Sequence, residues 1–116
     1  MWTHDIARLR SAFGYSIQGL KAAWKEPAFR LETLIAVPAL TVGLWAGDTP
    51  GECAVLAMSI LLVPIVELLN TAVEAAIDRV SIEPHPLSKI AKDVASAAVL
   101  LAIINAALVW ALVVFG

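Results

Sequence analysis

Glu67, Asn70, Glu74 and Asp78 are spaced by three, four and four residues. At about 100° per residue an α-helix brings them to roughly 0°, 300°, 340° and 20°, so the spacing predicts one stripe of three carboxylates and an amide. The stripe begins where the apolar run 54–66 ends. Charges at the edge of such a run are costly to place, and cations relieve their mutual repulsion. Hard oxygen ligands of this kind suit Mg²⁺, above all Mg²⁺ carried in with a nucleotide. Cations for phosphate oxygens stand elsewhere in the chain: Lys92, next to Asp93, and Arg8 and Lys21 near the N-terminus. Acids for a metal together with Lys and Arg for phosphate are the electrostatic requirement of phosphoryl transfer.

A plainer reading stands beside each of these. The stripe also fits a solvated helix end whose acids pair with Arg79 and Lys89. His85, between Pro84 and Pro86, is either a phosphate contact or a loop residue. Glu26, followed by Pro27, is either a further metal ligand or an exposed linker acid. The glycine-rich and Walker nucleotide motifs and the protein-kinase signatures are missing. Residue chemistry alone therefore reaches a membrane-surface site for metal and phosphate, and no substrate.

The elements that must position these side chains are helical. Ile6, Leu9, Phe13, Ile17, Leu20 and Trp24 recur every three or four residues, with Arg8, Ser11, Tyr15, Gln18, Lys21 and Lys25 mostly opposite. That pattern predicts an amphipathic helix over about 4–25, too polar to span a bilayer and suited to its surface. Three spans follow, at about 28–46, 53–80 and 90–115. The first carries Pro38, which neighbouring helices tolerate in a membrane, and ends near Trp45, a belt residue. The second has an apolar run shorter than the roughly 20 residues of a crossing, and its helical pattern continues through the acidic stripe. Residues 47–52 read as a polar turn and 81–88 as a loop, because proline breaks helices. The third span is uncharged from 94 to 115, with Ala98, Ala102 and Ala106 as a small-residue packing seam and Asn105 as a mid-span amide that bonds a neighbouring helix.

Composition agrees with an all-α membrane protein of one domain, residues 1–116. Of these, 60% are hydrophobic, with a mean hydropathy of +0.84, against 45–50% for soluble domains. A net charge of −2 gives no reason to expect a nucleic-acid partner. The single cysteine, Cys53, excludes an intrachain disulfide and reads as apolar filler. No cleavable signal pattern is legible in residues 1–25. All eight Lys and Arg fall in 1–30 and 79–92, which three crossings place on one side. The positive-inside rule then puts the N-terminus in the cytoplasm and the C-terminus in the periplasm.

The run Glu67-Leu68-Leu69-Asn70-Thr71-Ala72-Val73-Glu74-Ala75-Ala76-Ile77-Asp78-Arg79 closely resembles the signature of prokaryotic diacylglycerol kinases. His85-Pro86-Leu87-Ser88-Lys89-Ile90-Ala91-Lys92-Asp93, with Ala95-Ser96-Ala97-Ala98-Val99 after it, resembles the family's next block. Gly14-Tyr15-Ser16, Gly19-Leu20-Lys21-Ala22-Ala23-Trp24 and Phe29-Arg30 with Glu32 resemble its N-terminal block. The resemblance implies a homotrimer in the bacterial inner membrane, with active sites shared between subunits. It implies ATP-dependent phosphorylation of diacylglycerol to phosphatidic acid at the cytoplasmic face, with Mg²⁺. Glu67 would be the general base, and Glu74 and Glu26 would hold the metal. Arg8, Glu83, His85, Lys92 and Asp93 would contact the nucleotide, with Asn70 and Asp78 orienting the array. Ser16, Lys21 and Trp24 of the surface helix, with Arg30, Glu32, Ser96 and Trp110, would line the lipid's path.

Three rivals remain at this level, one of them a non-enzymatic assembly subunit that would neither hydrolyse ATP nor phosphorylate a lipid. An undecaprenol kinase shares these motifs and differs in its lipid. A small proton-coupled transporter would use Glu67 as a lone intramembrane carboxylate, whereas here the acids cluster at one surface beside Lys92.

Overall fold

A computed structural model describes residues 2–116. The chain forms four helices, α1 (Trp2–Ala23), α2 (Pro27–Ala46), α3 (Pro50–Val80) and α4 (Pro86–Phe115). The last three are long and apolar enough to cross a membrane.

Proline opens each of those three, where its missing N–H is no loss and its fixed φ suits the first turn. Each start is set by a local device. Pro27 keeps the residue before it out of helical geometry, so Glu26 sits at φ −81°, ψ 123° and α1 ends at Ala23 rather than near 25. Thr49 Oγ1 accepts from the Glu52 amide at 3.1 Å, and Glu52 Oε2 accepts from the Asp48 amide at 2.7 Å. This reciprocal cap starts α3 at Pro50, shortening the turn expected over 47–52. At α4 the expected loop over 81–88 also shrinks. His85 Nδ1 accepts from the Leu87 amide at 3.1 Å, so Pro86 begins the helix instead of breaking it.

α3 is the central element, with α2 and α4 packed on it. Its buried residues are Leu56, Ser59, Glu67 and Asn70, all on one face. α4 turns Ala95, Val99, Ala102 and Ala106 inward. Of the seam expected at Ala98, Ala102 and Ala106, Ala98 faces out. Four-residue steps drift by about 40° each around a helix, so the row that makes contact is chosen by where α3 lies. Asn105 likewise faces outward.

At the end away from the acids, Gly43 lets α2 approach closely. A Cβ there would lie 3.2 Å from both Leu56 Cβ and Trp110 Cζ2. Trp110 Nε1 donates to Ser59 Oγ at 3.1 Å, and Ser59 Oγ in turn donates to the Leu56 carbonyl at 2.7 Å. One latch thus joins all three spans.

α1 makes no extended contact with the spans, and only Ala23 of it is buried. The corner to α2 is fixed by an edge-on Trp24–Phe29 ring pair with centroids 6.4 Å apart, and by Arg30, which donates to the Trp24 carbonyl at 3.3 Å. Leu34, Val37, Leu101, Leu108 and Leu112 are all exposed on the spans. Apolar surface of that extent requires lipid or further protein around it.

Candidate active site

Halfway along α3 the buried face changes from apolar to acidic. Glu67 is 6% exposed and Asn70 9%. They open on a cavity of about 520 Å³ between α2, α3 and α4, lined also by Glu26, Glu32, Thr71, Glu74 and Ser96. Glu67 and Glu74 come from one face of α3, Glu26 from the entry to α2, Glu32 from its second turn and Ser96 from α4. Asn70 Nδ2 donates to Glu74 Oε1 at 3.2 Å, which fixes both side chains. Asn70 Oδ1 and Glu32 Oε2 are buried with no hydrogen-bond partner among the described residues. Buried oxygens without partners inside a cavity await a donor or a cation from outside the chain.

Glu32 also lines an apolar slot of about 230 Å³, with Ile35, Ala36, Ile60, Val63, Ile103 and Ala106. It therefore stands where a polar compartment meets an apolar one, the division found in an amphiphile with a hydroxylated head.

A larger cavity, about 620 Å³, lies between the end of α3 and the start of α4. Asp78, Glu83, His85, Lys89, Lys92 and Asp93 line it. Lys92 Nζ lies 2.7 Å from Asp78 Oδ1, bridging the two helices. Lys89 Nζ lies 2.6 Å from Asp93 Oδ2, one turn along α4. The expected stripe therefore divides. Glu67, Asn70 and Glu74 serve the inner cavity, while Asp78 is exposed and serves the outer one. Eleven residues, about 16 Å of helix, carry Asp78 out of the buried stretch. The pairing of the acids with Arg79 and Lys89 expected of a solvated end is also replaced, since Asp78 takes Lys92 and Lys89 takes Asp93.

Residues 14–114 match the family described as prokaryotic diacylglycerol kinase. The chain belongs to the prokaryotic diacylglycerol kinase family. It is 43% identical over 115 residues to the diacylglycerol kinase of Escherichia coli strain K12, covering 98% of this chain and 94% of that one. It is 44% identical over 112 residues to the Pseudomonas aeruginosa diacylglycerol kinase, covering 96% and 91%. With the Haemophilus influenzae diacylglycerol kinase it shares 40% over 114 residues, covering 97% of both. The chain is thus a lipid kinase, a membrane enzyme in a prokaryotic family.

In this kinase, eleven of the expected site residues line one of the two cavities: Glu26, Glu32, Glu67, Asn70, Glu74 and Ser96 the inner, and Asp78, Glu83, His85, Lys92 and Asp93 the outer, where His85 also caps α4. Arg8, Ser16 and Lys21 lie on exposed α1 and line neither. Ser16 Oγ donates back to the Ala12 carbonyl at 3.0 Å. Trp24 and Arg30 build the α1–α2 corner. Trp110, expected on the lipid's path, lines neither cavity and donates to Ser59. Ser59 precedes Glu67 by eight residues, about 12 Å of helix toward the opposite membrane face. Glu26 and Glu74 share the inner cavity, but among the described residues no three His, Cys, Asp or Glu side chains converge closely enough to form a metal cluster. Sequence reasoning missed the apolar slot, whose residues are scattered from 35 to 106. It also missed the place of Lys89, for which the Lys89–Asp93 spacing of four on α4 was the available signal.

Proposed function

We propose that this chain transfers the γ-phosphate of ATP to the free hydroxyl of diacylglycerol at the cytoplasmic membrane face, forming phosphatidic acid. Membership of the family carries the reaction. The carrying structural observation is the meeting of an acid-lined cavity and an apolar slot at Glu32, beside buried Glu67. The glyceride head occupies the inner cavity, with acyl chain in or near the slot. ATP enters from the cytosol by the outer cavity, whose Lys92 meets its phosphates.

Glu67 is the base. Its carboxylate takes the proton of the lipid hydroxyl as that oxygen attacks the γ-phosphorus. The bond from γ-phosphorus to the β–γ bridging oxygen breaks, and ADP leaves with the electron pair. The buried setting excludes bulk water from that carboxylate, which limits loss of phosphate to hydrolysis. Asn70 holds Glu74 in place. Their oxygens, with Glu26, form a hard donor set that fits Mg²⁺ arriving with ATP, and Asn70 Oδ1 is an acceptor still to be satisfied. The metal supplies neutralisation of phosphate charge; Glu26 and Glu74 would hold it. With both substrates held at one face, positioning and charge supply most of the rate.

The exposed apolar faces of the three spans suit a homotrimer in the bacterial inner membrane, N-termini cytoplasmic and C-termini periplasmic. A trimer would also bring α1 of one subunit, with Arg8, Ser16 and Lys21, toward the site of another.

Purified protein in mixed micelles, given γ-labelled ATP with diacylglycerol or undecaprenol, tests the reading. Label in phosphatidic acid is the expected result, and exclusive labelling of undecaprenol overturns the choice of lipid.

A further inference from the structure

The inner cavity is lined by four glutamates and not a single Lys or Arg. Any positive side chain that meets a polyphosphate must come from elsewhere. The outer cavity offers two lysines, and the structure commits them differently. Lys92 bridges α4 to Asp78 on α3, so its release would give up a contact between two helices. Among the described residues Lys89 pairs only with Asp93 on its own helix, with the two side chains 77% and 63% exposed. An exposed pair of that spacing holds its partners weakly, and breaking it disturbs no packing. Asp93 is meanwhile neutralised, its carboxylate turned to Lys89 instead of to a ligand.

We propose that Lys89 is a nucleotide-binding residue that exchanges partners when ATP arrives. Its ammonium leaves Asp93 for a phosphate oxygen, and the released Asp93 carboxylate accepts from the nucleotide's own donor groups. The pair thus covers both charges while the cavity is empty of nucleotide, and separates into one phosphate contact and one acceptor when it is filled. A lysine suits this exchange because its compact ammonium sits on a flexible stem and needs no fixed bidentate geometry. The inference rests on the reading that the outer cavity takes ATP.

The test uses the full chain in detergent with Lys89→Ala and Lys89→Arg. Inorganic tripolyphosphate serves as the phosphate probe and adenosine as the probe without phosphate. Lys89→Ala should weaken tripolyphosphate binding by calorimetry fivefold or more, leave adenosine inhibition within twofold, and raise the KM for ATP with kcat little changed. Lys89→Arg should restore most of the tripolyphosphate affinity. Because one arm is a binding measurement, it reads Lys89 even if the lipid or the donor of the reaction has been misassigned. Tripolyphosphate affinity unchanged within twofold in Lys89→Ala, or adenosine weakened as much as tripolyphosphate, overturns the proposal.

Discussion

Lys92 Nζ and Asp78 Oδ1 are 2.7 Å apart, and this contact ties the last turns of α3 to the first turns of α4 across the outer cavity. The two side chains are 40% and 51% exposed. Their bridge should therefore be worth at most about 1 kcal/mol of stability. Asp78→Asn should lower the unfolding midpoint in detergent only slightly. The charge-swapped pair Asp78→Lys with Lys92→Asp should recover that loss yet keep a raised KM for ATP, because the cation at 92 is then missing. Full recovery of both quantities would make Lys92 a tether alone.

Glu67 is buried, and its amide analogue has the same shape. Glu67→Gln should preserve folding and ATP binding while turnover falls by about 10²–10⁴-fold, the range supplied by a general base. Steady-state rates with saturating lipid and ATP, beside direct nucleotide binding, separate the two effects. Near wild-type turnover would remove Glu67 from that role.

Glu74→Ala takes away one hard oxygen donor and leaves the Asn70 amide without its acceptor. The Mg²⁺ concentration for half-maximal rate at fixed ATP should rise several-fold. Glu74→Gln restores a side-chain acceptor for Asn70 and should recover stability but not the metal dependence. An unchanged Mg²⁺ titration in both variants would argue that Glu74 does not reach the metal.

The Ser59–Trp110 latch lies away from the acids and should govern stability without touching ATP affinity. Ser59→Ala removes one interhelical hydrogen bond, worth about 0.6 and up to roughly 1.7 kcal/mol within membranes. Gly43→Val introduces side-chain atoms where Leu56 Cβ and Trp110 Cζ2 already lie 3.2 Å from an added Cβ. It should cost more, about 1–3 kcal/mol, as overpacking does. Unfolding by a denaturing detergent checks both, with the KM for ATP as the control that must stay put.

Much of this protein was legible in its sequence because the deciding forces there are local or one-dimensional. Apolar runs of sufficient length make spans whatever packs beside them, the 3.6-residue period makes α1 amphipathic, and a three-four spacing puts Glu67, Asn70 and Glu74 on one face. The nature of the site, acids backed by lysines, followed from residue type. Helix starts were less legible: Pro86 reads as a breaker until His85 is seen capping the turn it opens. What only the tertiary structure decided are the matters of which face meets which. The acidic stripe divides between two cavities because α3 outruns its neighbours' cover beyond Glu74. Glu32 joins the polar cavity to an apolar slot made of three helices. Trp110 belongs to a latch with Ser59, 51 residues away, because helix packing sets its partners and sequence spacing carries no record of the rotation of α4 against α3.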